Sequence, residues 1–187
     1  MENLIAACKK EEMWARKALY ERYAPAMLSL CMRYTGNRET ARDVLQDGFF
    51  KVFTKISEYR GDGSFEGWLK KVFINTALES LRKYRFIPFN DEHENTLIDS
   101  EFSAFEKLST NDLHTIIAEL PAGCRAVFNL HAVEGYSFVE IAKMLDIKDV
   151  TARTQYAYAQ KLLRKKLEEW EREVNKNNYF NSLSLGK

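Results

Sequence analysis

Residues 135–164 read GYSFVEIAKMLDIKDVTARTQYAYAQKLLR, and this stretch decides the fold. Ser137 and Glu140 stand three apart, the spacing at which each side chain bonds the other's backbone N–H in a capping box. Tyr136 and Ile141 flank the pair at hydrophobic-staple positions. A short helix from Phe138 to Leu145 follows, then a turn from Asp146 to Asp149. A long final helix runs from about Val150 to Trp170. Two helices joined by so short a turn form a helix-turn-helix. In that motif the second helix lies in a DNA major groove, and its N-terminal residues meet the bases.

Ala152, Tyr156, Ala159 and Leu163 form the inward stripe of this helix. The opposite face carries Arg153, Thr154, Ala157, Tyr158, Lys161 and Arg164. Arg153 can present a fork of donors to guanine, and Thr154 can bond a base or touch a thymine methyl. Lys161 and Arg164 suit phosphates, which position without specifying. The same residues would also make an ordinary charged, solvated face, so the face alone leaves DNA binding open.

Working outward, helical periodicity holds nearly everywhere, and only Pro25, Pro88 and Pro121 interrupt it. Leu113, Ile116, Ile117 and Leu120 are spaced for a helix, and Pro121 opens the next, which ends near Gly135. Near the N-terminus a helix covers Met13 to Tyr34 and stops at Gly36. Asn37 caps a second helix that carries Ala41, Val44, Leu45, Gly48, Val52 and Phe53 on one face and runs to about Ile56. The loop Arg60-Gly61-Asp62-Gly63 follows. Ser64 caps a third helix, ending near Arg85, with Phe65, Trp68, Leu69, Val72, Phe73 and Thr76 inward. Between Phe86 and Thr110 the pattern lapses into a polar, acidic connector. Beyond Trp170 the chain turns Asn-rich, as fraying termini do.

The fold expected is all-α: two small helical domains, 1–85 and 112–170, joined by an acidic flexible linker, 86–111, with a polar tail, 171–187. Apolar residues make up 45% of the 187, enough to bury a core. A net charge of +1 conceals three blocks. Residues 1–85 hold 16 Lys and Arg against 11 acids, residues 86–110 hold one against six, and residues 111–187 hold 11 against 10. Such asymmetry points to separate surfaces for separate partners.

Cys8, Cys31 and Cys124 are far apart and read as reduced, partly buried thiols; no metal or cofactor is expected. His93, His114 and His131 are scattered, and no nucleophile–base pair stands out, so an enzyme is the reading with least support. No stretch approaches the ~18 apolar residues of a membrane span. The N-terminus lacks the layout of a signal peptide, which places the protein in the cytoplasm without membrane insertion.

Several strings taken together resemble a known family. Leu120-Pro121, Arg125, Val127-Phe128, Glu134-Gly135-Tyr136-Ser137 and Glu140-Ile141-Ala142 are similar to region 4 of the extracytoplasmic-function (ECF) sigma factors. Leu19-Tyr20-Glu21-Arg22-Tyr23, Ala41-Arg42-Asp43-Val44-Leu45-Gln46-Asp47-Gly48-Phe49 and Lys51-Val52-Phe53 resemble the first half of region 2. Phe65-Glu66-Gly67-Trp68-Leu69, Asn75-Thr76-Ala77-Leu78 and Leu81-Arg82-Lys83 resemble its second half. The match covers residues 13–85 and 113–167, and its strings are specific in combination.

The resemblance implies a promoter-recognition subunit that works with core RNA polymerase on promoter DNA. Asp43, Gln46 and Asp47 share one helix side at i, i+3 and i+4; with Phe49 they would meet a coiled coil of the polymerase's largest subunit. The Arg60–Ser64 loop would capture a base extruded from the −10 element, with Arg60, Asp62 and Ser64 reading it. Phe65 would line that pocket or belong to the core. Trp68 and Phe73 could stack on single-stranded DNA, but their helical spacing favours the core. Asn75, Arg82, Lys83 and Arg85 are further −10 contacts. Lys148, Thr151, Arg153, Thr154, Ala157, Tyr158, Lys161 and Arg164 would contact the −35 element. The acidic linker would thread polymerase channels otherwise used by nucleic acid, or serve only as a tether. An anti-sigma factor is a further partner by analogy.

Five positions depart from the family pattern. Asp146 stands where glycine is usual, Lys148 where serine is, Tyr158 and Gln160 where arginines are, and Glu79 where aspartate is. Asp149 is then the alternative cap. The competing reading is a free-standing dimeric helix-turn-helix regulator, which would leave the acidic triplet and the glycine loop without a task. A helical adaptor would leave the basic first block unexplained.

Overall fold

The computed structural model describes the backbone of residues 1–83 and 115–184, and the side chains of 1–82, 115–170 and 172. All regular structure among these is helical. The chain divides into two compact units, Met1–Pro88 and Phe89–Lys187. The expected linker and Arg85 lie outside the described residues, as does the side chain of Lys83.

The first unit contains α1 (Glu2–Lys9), α2 (Met13–Thr35), α3 (Arg38–Lys55), a 3-10 turn (Ile56–Glu58) and α4 (Phe65–Lys83). The predicted punctuation works as local chemistry requires. Gly36 is left-handed at φ 75, and its N–H bonds the Met32 carbonyl. Asn37 accepts the Thr40 N–H at 2.8 Å, and Ser64 accepts that of Gly67 at 3.0 Å. Pro25 stays inside α2, on its exposed side, where water can take the carbonyl that the missing N–H leaves.

Helices α2, α3 and α4 pack on one another around Leu19, Tyr34, Val44, Val52, Leu69, Phe73 and Leu78, all fully buried. Helices α3 and α4 meet tightly at Gly48, where an added Cβ would lie 2.2 Å from the Phe73 ring. The sequence reading missed α1. It buries Ile5 and Cys8, at i and i+3, and closes at Glu11, whose backbone is left-handed at φ 62.

In the second unit a helical turn at 115–118 leads to α5 (Ala122–Phe128), α6 (Phe138–Leu145) and α7 (Asp149–Ser184). Pro121 is the residue before α5 and not its first. Buried Arg125 reaches back and donates to the carbonyls of Ala118 and Leu120, at 2.6 and 2.9 Å, satisfying acceptors at the end of the preceding turn. Helix α5 does not run unbroken to Gly135. Over Asn129–Val133 it widens into a π turn, with the Glu134 N–H bonding the Asn129 carbonyl. Fully buried Asn129 donates its side-chain amide to the Arg125 carbonyl, which competes with the regular ladder there.

The capping box forms in full: the Glu140 N–H bonds Ser137 Oγ, and the Ser137 N–H bonds Glu140 Oε2 at 2.9 Å. These bonds hold the Glu140 carboxyl below the usual range. Helix α6 ends on Asp146, left-handed at φ 56, where aspartate takes the conformation that glycine would take more easily. Helix α7 begins at Asp149, so Lys148 is its cap and its carbonyl accepts the Ala152 N–H. The expected end at Trp170 falls short, because the backbone stays helical to Ser184. No glycine or proline intervenes before Gly186, and Glu168 pairs with Arg172 at i, i+4.

Candidate nucleic-acid interface and docking face

Helix α3 turns Asp43, Gln46 and Asp47 to solvent together. Neither carboxylate forms a salt bridge among the described residues. Phe49 does not belong to this face. It is 3% exposed and packs its ring on Tyr20, Phe53 and Phe73, so it supports the helix from beneath. The aromatic on the face is Phe50, 73% exposed, at i+7 from Asp43 and i+3 from Asp47. Spacing alone could have chosen it over its neighbour. An anionic patch with a bare phenyl ring is suited to a basic protein surface that also offers apolar contact.

The loop after the 3-10 turn forms a recess of about 410 Å³. Gly61 and Gly63 take positive φ, 87 and 117, which L side chains rarely adopt. The Tyr59 hydroxyl donates to the Gly63 carbonyl at 2.7 Å and fixes the loop's far end. Arg60, Asp62 and Ser64 line the recess with Tyr59, Trp68 and Lys71. Trp68, with its core spacing, is only half-buried and forms a wall, 5.6 Å between ring centroids from Tyr59. Phe65 and Phe73 are core, the former edge-on to Tyr59 and tilted against Trp68. The recess thus offers aromatic faces, a guanidinium, an ammonium, a carboxylate and a hydroxyl within one small volume. That inventory suits a flat, hydrogen-bonding ring carried on an anionic chain. Asn75 and Arg82 are exposed on α4, so Asn75 needs no buried partner.

On α7, Arg153, Ala157, Lys161 and Arg164 recur at i, i+4, i+8 and i+11 and form one stripe. Arg153, Lys161 and Arg164 are exposed; Ala157 is half-buried. Arg153 is already engaged: its Nε and Nη2 lie 3.4 Å from Asp149 Oδ2, and its guanidinium sits 4.9 Å over the Phe138 ring. The Thr154 hydroxyl donates to the Val150 carbonyl at 3.0 Å. Tyr158 packs against the core built on Ile116, Leu120 and Leu163, which moves it off the open face. Lys148 is exposed and Thr151 half-buried at the start of the helix. Below them, His131 is stacked on Phe138 at 4.1 Å and edge-on to Tyr156, and its Nδ1 meets the Tyr136 carbonyl at 2.8 Å.

All three cysteines are buried. Burial pushes the Cys31 and Cys124 thiols up to about 12 and about 11, and raises Cys8 as well. These thiols are protonated and unreactive at neutral pH. Among the described residues no His, Cys, Asp and Glu cluster could hold a metal, and no helix is long and apolar enough to cross a membrane.

Known proteins supply the frame for these surfaces. The chain matches Sigma-70 region 2 over residues 19–87 and Sigma-70 region 4 over residues 110–163. It is 27% identical to the RNA polymerase sigma-H factor of Pseudomonas aeruginosa, across 92% of this chain and 96% of that one. It is 28% identical to the ECF RNA polymerase sigma-E factor of Escherichia coli K12, across 88% of this chain and 93% of that one. Among solved structures, the sigma factor RpoE of Bartonella quintana, crystallised with the anti-sigma factor NepR, superposes with a TM-score of 0.51 at 19% identity. That likeness covers 81% of this chain and 96% of that one, and it concerns the fold. These matches do not favour a free-standing dimeric regulator. With region 2 and region 4 both present, in order and over most of its length, the chain belongs to the sigma-70 family of RNA polymerase sigma factors, in its ECF branch, and directs promoter-specific initiation of transcription.

Proposed function

We propose that the two units divide promoter recognition between them. The α3 face of Asp43, Gln46, Asp47 and Phe50 docks on core RNA polymerase. The Arg60–Ser64 recess receives an unstacked base of the −10 element, with Trp68 and Tyr59 as stacking walls and Arg60 and Asp62 reading the base edge. Asn75, Arg82, Lys83 and Arg85 follow the adjoining strand. Helix α7 enters the major groove of the −35 element, with Lys148, Thr151, Arg153, Thr154 and Ala157 towards the bases and Lys161 and Arg164 on phosphates, while Tyr158, packed on the core, stays back from the DNA. The acidic connector threads polymerase channels that nucleic acid otherwise uses. The protein acts by binding and not by catalysis, in the cytoplasm with polymerase and DNA. The partner of the Bartonella relative supports an anti-sigma factor here too, one that covers the polymerase-facing surface until a signal removes it.

The observation that carries this reading is the α3 face: a carboxylate pair with no salt bridge among the described residues, beside a bare aromatic. The test is binding of purified core polymerase to the wild type and to Asp47→Arg. Submicromolar binding by the wild type, reduced at least ~100-fold in a folded mutant, supports the docking face, because reversal sets a cation against a basic contact. Equal binding by both would remove α3 from the interface. A folded wild type that ignores polymerase would end the reading.

A further inference from the structure

We propose that α1 is a brace for the −10 recess, and that Lys9 is its positioning residue. The inference rests on the recess being the base-reading site. The final turn of α1 lies beside the 3-10 turn that leads into the loop. Lys9 Nζ donates to the Tyr59 carbonyl at 2.7 Å and sits 5.9 Å above the Tyr59 ring. One ammonium therefore holds both the backbone and the side chain of a single residue. Tyr59 is the keystone of the recess. Its hydroxyl bonds the Gly63 carbonyl, and its ring packs on Phe65 and Trp68.

The other end of α1 reaches the same structure by a second route. Met1 Sδ lies 3.9 Å from the Tyr23 hydroxyl, which donates to Glu66 at 2.6 Å in the first turn of α4. Glu66 adjoins Gly67 and Trp68, both in the recess wall. The N-terminal segment thus reaches both strands of chain that enter the recess: Tyr59 before the loop directly, and the start of α4 after it through Tyr23.

The loop is open on its outer side: an added Cβ at Gly61 or Gly63 would meet nothing within 4 Å, so its order depends on bonds such as that from Tyr59 to the Gly63 carbonyl. A base is read only if donors and acceptors are in place when it arrives. Fixing Tyr59 from behind supplies that order without placing any group of α1 in the recess. Lys9 touches no base in this arrangement. It acts through Tyr59.

The test uses the full-length protein as holoenzyme, with Lys9→Met, Lys9→Arg and Trp68→Ala beside the wild type. Amide hydrogen exchange over residues 59–64 reads the loop, and opening of a promoter with 2-aminopurine in its −10 element reads the function. Lys9→Met keeps the stem but removes the charge and donors, so exchange should rise and promoter opening should fall about fivefold, with polymerase affinity unchanged. Lys9→Arg should restore both, since a guanidinium serves the same carbonyl and ring. Unchanged exchange in Lys9→Met overturns the brace. Faster exchange with normal opening overturns its functional role. If Trp68→Ala also opens the promoter normally, the base-reading assignment of the recess fails; if it is impaired while Lys9→Met is normal, only the inference about α1 fails.

Discussion

Helices α3 and α7 each present a polar stripe to solvent, and the two stripes are in opposite condition. On α3 the carboxylates of Asp43 and Asp47 have no ion-pair partner among the described residues, and Phe50 beside them is bare. On α7 Arg153 is shared between Asp149 and Phe138, Thr154 is bonded to its own helix, and Tyr158 is packed on the core. The α3 face can therefore bind a partner without first giving anything up. The α7 face must exchange internal contacts for DNA contacts, and the gain is the difference between the two. If α3 meets polymerase and α7 the −35 element, as proposed, a tight first contact and a modest second one are expected from that difference. Tyr158 and Gln160, where relatives carry arginine, act in the same direction by lowering the charge of the stripe.

The largest effect expected comes from disturbing the platform beneath the α3 face. Gly48 lies where α3 meets α4, and an added methyl would sit 2.2 Å from Phe73, which is fully buried and cannot swing into solvent. Gly48→Ala should destabilise the first unit by about 2–3 kcal/mol through overpacking. Urea unfolding followed by tryptophan fluorescence measures this, since Trp14 and Trp68 both report on that unit. Adding Phe73→Leu should recover part of the loss by making room. An undiminished midpoint would mean that α3 and α4 can move apart, and that the platform beneath the α3 face does not depend on Gly48.

What the sequence reveals, and what it hides, follows the range of the forces involved. Gly36, Asn37, Ser64 and the Ser137–Glu140 box are legible because each acts on backbone groups within four residues. Both units and the helix-turn-helix follow from such signals and from apolar spacing. The features that were missed depend on tertiary contact. Helix α1 has few residues and no capping side chain, and it is held by burial of Ile5 and Cys8. The π turn reflects an asparagine that is buried, a condition its sequence neighbours do not announce. Gln155 lies on the inner side of α7, 3% exposed, with its Oε1 lacking a hydrogen-bond partner among the described residues, and polarity argued against placing it there. Trp68 has core spacing yet walls the recess, because the loop leaves one of its sides open. Phe49 and Phe50 differ by one step around a helix, which is the difference between floor and face.

A smaller effect is expected at the turn that sets the angle of α7. Asp146 is left-handed at φ 56, a conformation that is unfavourable by about 1–2 kcal/mol for most L residues and less so for aspartate. Asp146→Gly should stabilise the second unit by about 0.5 kcal/mol, the relief of strain exceeding the added chain entropy of glycine. The thermal midpoint of the full-length protein, followed through Tyr and Trp signals of the second unit, reads the change. A loss of stability would show that the aspartate side chain contributes more to the turn than the left-handed backbone costs.

The smallest effect expected bears most directly on the contrast between the stripes. Asp149 holds Arg153 at 3.4 Å in an exposed i, i+4 pair, a contact with a typical strength below about 1 kcal/mol. If it withholds Arg153 from DNA, Asp149→Ala should tighten holoenzyme binding to a duplex −35 element by about two- to threefold, because it frees a guanidinium and removes a charge that repels phosphate. The helix would lose an acid from its first turn, so Asp149→Asn serves as the milder partner variant and should show the same direction. The alternative is that Asp149 aims the guanidinium, with Phe138 beneath it, at a base. Weaker binding, concentrated at one guanine of the element, would then follow, and the α7 stripe would be poised in the same sense as that of α3. A uniform gain across sequences would instead place Arg153 on the phosphates, where release from Asp149 adds affinity without adding discrimination.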